Sequence, residues 1–295
     1  MSKVLNLCNL LISITFMALC ACGSPDTAGP TQDMQVEAPP TLQTFIDHPR
    51  RDGERARDQF RNPKETLEFF GLKPGSSVVE IWPGWYTNII APYLAANGGT
   101  YIAAYYPEGH SERLDQRILA FRETYGDTDV YGDIQIASFW GDSGLSLEPD
   151  SVDMILTFRN VHNWMQDGYA DKAFAEFYDV LKPGGILGVV EHRLPETALQ
   201  DPRGATGYVQ ESYMKMLATE AGFEFVGASE VNANPRDTAD HPLGVWTLPP
   251  RSRLPEDGSE EAGGFDAGFY KTVGESDRAT LKFRKPGKFG KSGDE

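Results

Sequence analysis

Beyond its first 22 residues the chain has no cysteine: Cys8, Cys20 and Cys22 are the only ones, so no disulfide, thiolate nucleophile or cysteine-ligated zinc is available to the rest. Basic charge is also scarce. With 27 Lys+Arg against 43 Asp+Glu the formal net charge is −16, which excludes nucleic acid as a partner. Long apolar runs are missing after residue 21, and no internal repeat is present. What remains is 40% hydrophobic, 11% aromatic and 24% charged, the composition of a chain that packs a core rather than one that stays disordered.

The N-terminus reads as an address. Lys3 precedes an apolar stretch from Val4 to Ala21 that is interrupted by Asn6, Asn9, Ser13 and Thr15, and small residues follow at Gly23 and Ser24. That is a secretory signal over residues 1–21 rather than a membrane span. Leu19-Cys20-Ala21-Cys22 resembles a bacterial lipobox, which would make Cys22 the lipidated first residue and hold the protein to a membrane. The expected location is the periplasmic face of a bacterial membrane, or the periplasm itself if the signal is cut without lipidation. Residues 22–44, rich in Pro, Gly, Thr and Gln, read as a flexible tether.

From residue 45 to residue 291 one domain is expected. A helical region from Gly53 to Phe70 is divided by Asn62-Pro63 and closed by Gly71. Short apolar runs then alternate with segments of helical spacing. The strands read as Ser77–Trp82, Thr100–Tyr106, Ile134–Phe139, Val152–Phe158, Gly185–Glu191 and Phe223–Val231. Helices fit at Tyr86–Ala96, Ser111–Tyr125, Tyr169–Leu181 and Tyr208–Ala221. Such alternation specifies an α/β fold with a Rossmann-like sheet covered on both faces. Residues 232–279 break the pattern and form an insertion, read as a lid, before a last strand at Thr280–Lys285. The basic run from Arg278 to Lys291 reads as a solvated edge strand with its tail.

Three strand ends carry the candidate chemistry. The first is Glu80-Ile81-Trp82-Pro83-Gly84-Trp85, where a strand turns into a helix; ligands of open α/β sheets bind at such turns, through backbone N–H groups. A single glycine here is too few for a dinucleotide pyrophosphate, which sets aside a nicotinamide dehydrogenase. The second is Trp140-Gly141-Asp142-Ser143, whose Asp142 either meets a ligand or caps a turn. The third is Arg159-Asn160-Val161-His162-Asn163, placed so that His162 and His192, from Glu191-His192-Arg193, face one crevice if their strands are neighbours. Imidazole suits proton transfer near neutral pH, and Arg159 or Arg193 can hold an anionic substrate. Either histidine can equally be structural. A zinc site from the two histidines and Glu191 lacks recurring ligand spacing, so no metal is expected.

Glu80, Asp142, Asp153 and the Lys182-Pro183-Gly184-Gly185 turn together resemble the class I S-adenosylmethionine-dependent methyltransferases. Glu80-Ile81-Trp82-Pro83, the loop from Phe158 to Trp164, Val190-Glu191-His192-Arg193 and Asn232-Ala233-Asn234-Pro235 are similar to an often exported group of bacterial predicted methyltransferases. The resemblance implies a seven-stranded sheet with the last strand antiparallel near one edge, and S-adenosylmethionine as cofactor. It implies that Glu80 and Gly84 line the amino acid portion, that Glu108 meets the ribose, that Asp142 reaches the adenine and that Asn160 belongs to the cofactor site. His162, His192 and Arg159 become the catalytic candidates, acting on a small-molecule acceptor. The turn is short of glycines by comparison, which would draw Trp85 towards the methionine position. A second class therefore stays open: a binding module that keeps the scaffold without the chemistry. Oligomeric state is not legible.

Overall fold

A computed structural model describes residues 38–287. The signal, Cys22 and most of the tether lie outside them. The packed domain begins earlier than residue 45, because helix α1 (Leu42–Ile46) buries Leu42, Phe45 and Ile46 in the core. Helices α2 (Asp58–Arg61) and α3 (Pro63–Phe70) follow, separated by Asn62 in left-handed backbone at φ 36°. Proline at the first position of α3 needs no N–H partner there, and the N–H of Gly71 (φ 85°) folds back on the carbonyls of Leu67 and Glu68 to end the helix.

Strands and helices then alternate: β1 (Ser77–Ile81), α4 (Thr87–Ala96), β2 (Thr100–Tyr105), α5 (Glu112–Thr124), α6 (Thr128–Tyr131), β3 (Gln135–Trp140), β4 (Gly144–Leu145) and β5 (Val152–Phe158). After them come α7 (Val161–Gln166), α8 (Ala170–Val180), β6 (Leu181–His192), α9 (Glu211–Glu220), β7 (Glu224–Ser229), α10 (Ala267–Val273) and β8 (Arg278–Arg284). The eight strands lie in the order β4-β3-β2-β1-β5-β6-β8-β7. The seven-stranded arrangement expected from the sequence is present, and the eighth strand is the two-residue β4, folded back on β3. Strand β8 runs antiparallel between β6 and β7. The basic run is therefore no edge: Arg278 is 2% exposed and sits opposite His192 in the ladder.

The central strands read as nearly continuous apolar runs because both sheet faces are covered. On one face α1, α3 and α4 pack Phe45, Leu67, Phe70, Ile89 and Leu94 against the sheet. On the other, α7, α8 and α9 contribute Trp164, Phe174, Phe177, Met214 and Leu217. The crossovers leave the carboxyl ends of β1, β5 and β6 side by side, which is where loops are free to hold a ligand.

Packing is tight at the middle of β6. A Cβ on Gly188 would lie 2.7 Å from Leu156 Cδ2 and 2.8 Å from Phe70 Cδ1. Overpacking of this kind costs about 1–3 kcal/mol. Gly188→Ala is expected to lower the urea midpoint by that free energy with an unchanged slope; an unaltered midpoint would show that the α3 interface yields freely.

Candidate active site

At the end of β1, Glu80 is buried and its bonds are internal. Its carboxyl accepts from Gly84 N (3.2 Å), Thr87 Oγ1 (3.1 Å) and Tyr101 OH (2.6 Å). Burial nevertheless outweighs those donors and pushes its pKa from the ordinary 4.5 up to about 7. Two residues on, Trp82 adopts φ 49°, a left-handed backbone that tryptophan rarely takes. Its indole stacks on Tyr106 with centroids 4.8 Å apart and 20° between planes, and it borders Phe139, Trp140 and Trp164. Its Nε1 is buried with no acceptor among the described residues.

Trp85 does not enter the crevice, contrary to expectation. The guanidinium groups of Arg51 and Arg61 each lie 4.8 Å from its ring centroid, and those cation–π contacts hold it towards the N-terminal helices. Trp82, not Trp85, occupies the space at the strand ends. Gly84 is exposed, and a Cβ there would meet nothing within 4 Å.

The second group gathers at the ends of β5 and β6. Arg159 lies in left-handed backbone at φ 65°, its N–H bonded to Val190 O at 2.7 Å. Asn160 donates to Ile81 O (3.1 Å) and Thr157 Oγ1 (3.2 Å), fastening this turn to β1. Glu191, with no exposed surface, accepts N–H bonds from Val161 (2.6 Å), His162 (3.4 Å) and His192 (2.8 Å). Its Oε1 also lies 3.1 Å from His162 Nδ1. A carboxylate only accepts, so Nδ1 is the nitrogen that donates to it, and in the neutral ring that tautomer leaves the lone pair on Nε2. The two imidazole centroids are 5.5 Å apart, and His192 Nδ1 bonds Ser276 Oγ at 2.5 Å. Burial, then the neighbouring His162, Arg278 and Arg159, push the His192 pKa well below 6.5, so it stays neutral.

His162, His192, Arg159 and Asn160 thus share one cavity of about 280 Å³, lined from the insertion by Val245, Trp246 and Leu248–Arg251. The acidic stretch from Glu256 to Gly268 takes no part in that lining. A second cavity, of about 410 Å³, lies across Trp82 and is bounded by Gly84, Tyr105, Tyr106, Arg117 and Phe121. Volumes near or above about 300 Å³ are typical of small-molecule sites.

The remaining expected residues fall elsewhere. Glu108 is exposed and paired with Arg122 at 2.7 Å, outside both linings. Asp142 is exposed at the end of β3 and lines neither. Arg193 is held by Asp277, Glu211 and Glu230, so it is not free for a substrate. His162, Glu191 and His192 present ligand atoms within 4.8 Å of one another. Because Glu191 already accepts backbone N–H bonds and Arg159 and Arg278 share the cavity, the set is better placed for proton transfer than for a cation. Sequence reasoning missed Trp82, Arg278 and the segment 245–251; only the left-handed demand on Trp82 had a local sign, the glycine absent from that turn.

No protein-family model matches the chain, and no curated protein matches it significantly. Solved structures do. The [4+2]-cyclase SpnF shares 18% identity over 77% of this chain and 80% of its own, with a TM-score of 0.50. A SAM-dependent methyltransferase from Aquifex aeolicus shares 20% identity over 65% of this chain and 91% of its own, at a TM-score of 0.45. Phosphoethanolamine N-methyltransferase 2 of Haemonchus contortus, solved with S-adenosyl-L-methionine, shares 16% over 83% of this chain and 60% of its own, at 0.47. The fold is the Rossmann-like methyltransferase fold. At such identities the likeness concerns the fold alone.

The Glu80 carboxyl gives a pH signature. Folding raises its pKa, so its contribution is complete below pH 4.5 and is lost as pH rises through 7. At about 1.4 kcal/mol for each pH unit this amounts to about 2–3 kcal/mol between pH 5 and pH 8. Urea unfolding of the wild type should show that loss, and Glu80→Gln should lack it; parallel pH profiles would refute the assignment.

Proposed function

We propose that the protein is an S-adenosylmethionine-dependent methyltransferase acting on a small acceptor held beside His162. The carrying observation is the His162–Glu191 pair, oriented by backbone bonds and set at the strand ends where this scaffold leaves room for ligands. The second cavity fits the donor. Trp82 and Tyr106 offer aromatic faces to an adenine and to a cationic sulfonium, Gly84 leaves the turn open, and the orphaned Trp82 N–H lacks an acceptor that a ligand would supply. When bound there, the donor supplies an electrophilic methyl group.

The chain's own residues do the rest. His162 Nε2 takes the acceptor's proton, while Glu191 holds Nδ1–H and stabilises the imidazolium that forms. His192, kept neutral, hydrogen-bonds Ser276 and fixes the wall opposite. Trp82, which lines both cavities, sets the passage between them, and Val245–Arg251 shield it from water.

Titration calorimetry with S-adenosylmethionine and S-adenosylhomocysteine tests the reading: saturable heat with both is expected. With any acceptor found by screening small O- and N-nucleophiles against methyl-labelled donor, His162→Ala should lower kcat about 10²–10⁴-fold with donor affinity intact. A loss of only a few-fold would remove His162 from the chemistry.

One observation favours the binding-module reading: the Trp82, Tyr106 and Trp140 rings fill the ends of β1, β2 and β3, while Glu108 and Asp142 stand off. Absence of heat with either compound at millimolar concentration selects it.

For location we propose export and lipidation at Cys22. Metabolic labelling with palmitate in a bacterial host should mark the wild type and leave Cys22→Ser unlabelled; equal labelling would refute it.

A further inference from the structure

Among the described residues the 280 Å³ cavity is lined by three arginines, Arg159, Arg251 and Arg278, and by no carboxylate. Behind Arg278, which lines the cavity, lies Glu275, a carboxylate 2% exposed that does not itself reach the lining. It accepts from Arg57 Nε (2.6 Å), Arg61 Nε (3.2 Å) and Arg278 Nη2. Burial alone would raise its pKa, but Arg278 and Arg61 hold it down to about 2. Even so, Arg61 Nη1 and Nη2, Arg57 Nη2 and Arg278 Nε stay buried without partners among the described residues. One carboxylate is shared among several guanidinium groups, and the sharing is incomplete.

Arg159 adds a further cation that has no ion pair of its own among the described residues. Nor does its guanidinium make a hydrogen bond among them, yet it lines the cavity beside His162 and His192. Burial first, then Arg61 and Arg278, push its pKa well below the usual arginine value, with Glu275 opposing. Arginine does not give up its proton in proteins, so the charge persists and needs a counter-charge. Its backbone is also held at φ 65°, a conformation that tertiary structure must enforce and that clusters at ligand sites. Arg251, from the insertion, brings a guanidinium to the same cavity from the other side.

We propose that this cavity is an oxyanion site: a small molecule bearing a carboxylate or phosphate group places that group on Arg159, with the remainder against His162. A planar five-donor fork matches either group in bidentate fashion. The inference rests on the methyltransferase reading only in making this ligand the acceptor; the anion site itself does not depend on a donor. The strongly acidic surface of the chain would disfavour macromolecular polyanions and leave small anions as the compatible class.

Calorimetric titration of the protein with inorganic phosphate and, separately, with acetate at constant ionic strength tests this without any donor present. Saturable binding of at least one is expected, and the arm that binds tells phosphate from carboxylate. Arg159→Met should weaken it at least tenfold, and Arg159→Lys by less. Equal affinity in the wild type and Arg159→Met, or no saturable heat in either arm, overturns the proposal. Without anion, Arg159→Met should unfold at the same or higher urea concentration than the wild type, since an uncompensated charge is removed. A clearly lower midpoint would mark Arg159 as a structural group and equally overturn it. Failure of donor binding in the earlier calorimetry, with phosphate or acetate still bound, would sink methyl transfer and leave the anion site standing.

Discussion

The buried carboxylate of Glu191 holds the ends of two strands together, and the site exists because it does. It belongs to β6, but the N–H groups of Val161 and His162 that it accepts open the helix after β5. Its remaining bonds orient the His162 ring and fix the His192 backbone. Leaving such a carboxylate in an apolar interior without those donors would cost several kcal/mol. Position, tautomer and direction of His162 are consequences of satisfying it.

A second carboxylate, Glu275, does the same for distant parts of the chain. It draws α2 and the start of β8 onto one point, with partners 214 and 218 residues away in sequence. Because guanidinium groups outnumber carboxylates there, the assembly is electrostatically unfinished, and the unpaired Arg159 faces the cavity. Buried charge of one sign is tolerated where a ligand or trapped solvent completes it. On the proposed anion reading, the arginines that line the cavity serve both as scaffold and as recognition surface.

Trp82 and Arg159, both in left-handed backbone, follow directly on β1 and β5, which are neighbours in the sheet. Non-glycine residues persist in that region only where the surroundings over-determine them. For Trp82 the surroundings are an aromatic cluster running to Trp140 and Trp164. The indole lines both cavities.

The alternation of apolar runs with helical spacing determined the layered sheet, because burial on both faces demands that pattern locally. The pairing of Asn62 with Pro63 likewise fixed where one helix stops and the next begins. His162 and His192 were legible as neighbours once their strands were taken as adjacent. The choice between Trp82 and Trp85 was not, since both are tryptophans in one turn and the contacts of Arg51 and Arg61, from the N-terminal segment, with the Trp85 ring turn it away from the strand ends. Nor could sequence place Arg278 in the interior, because a basic run looks solvated until β8 is seen inserted between β6 and β7. Periodicity is a short-range property and survives in the sequence; charge balance and cavity shape are sums over residues hundreds of positions apart, so only the tertiary structure decides them.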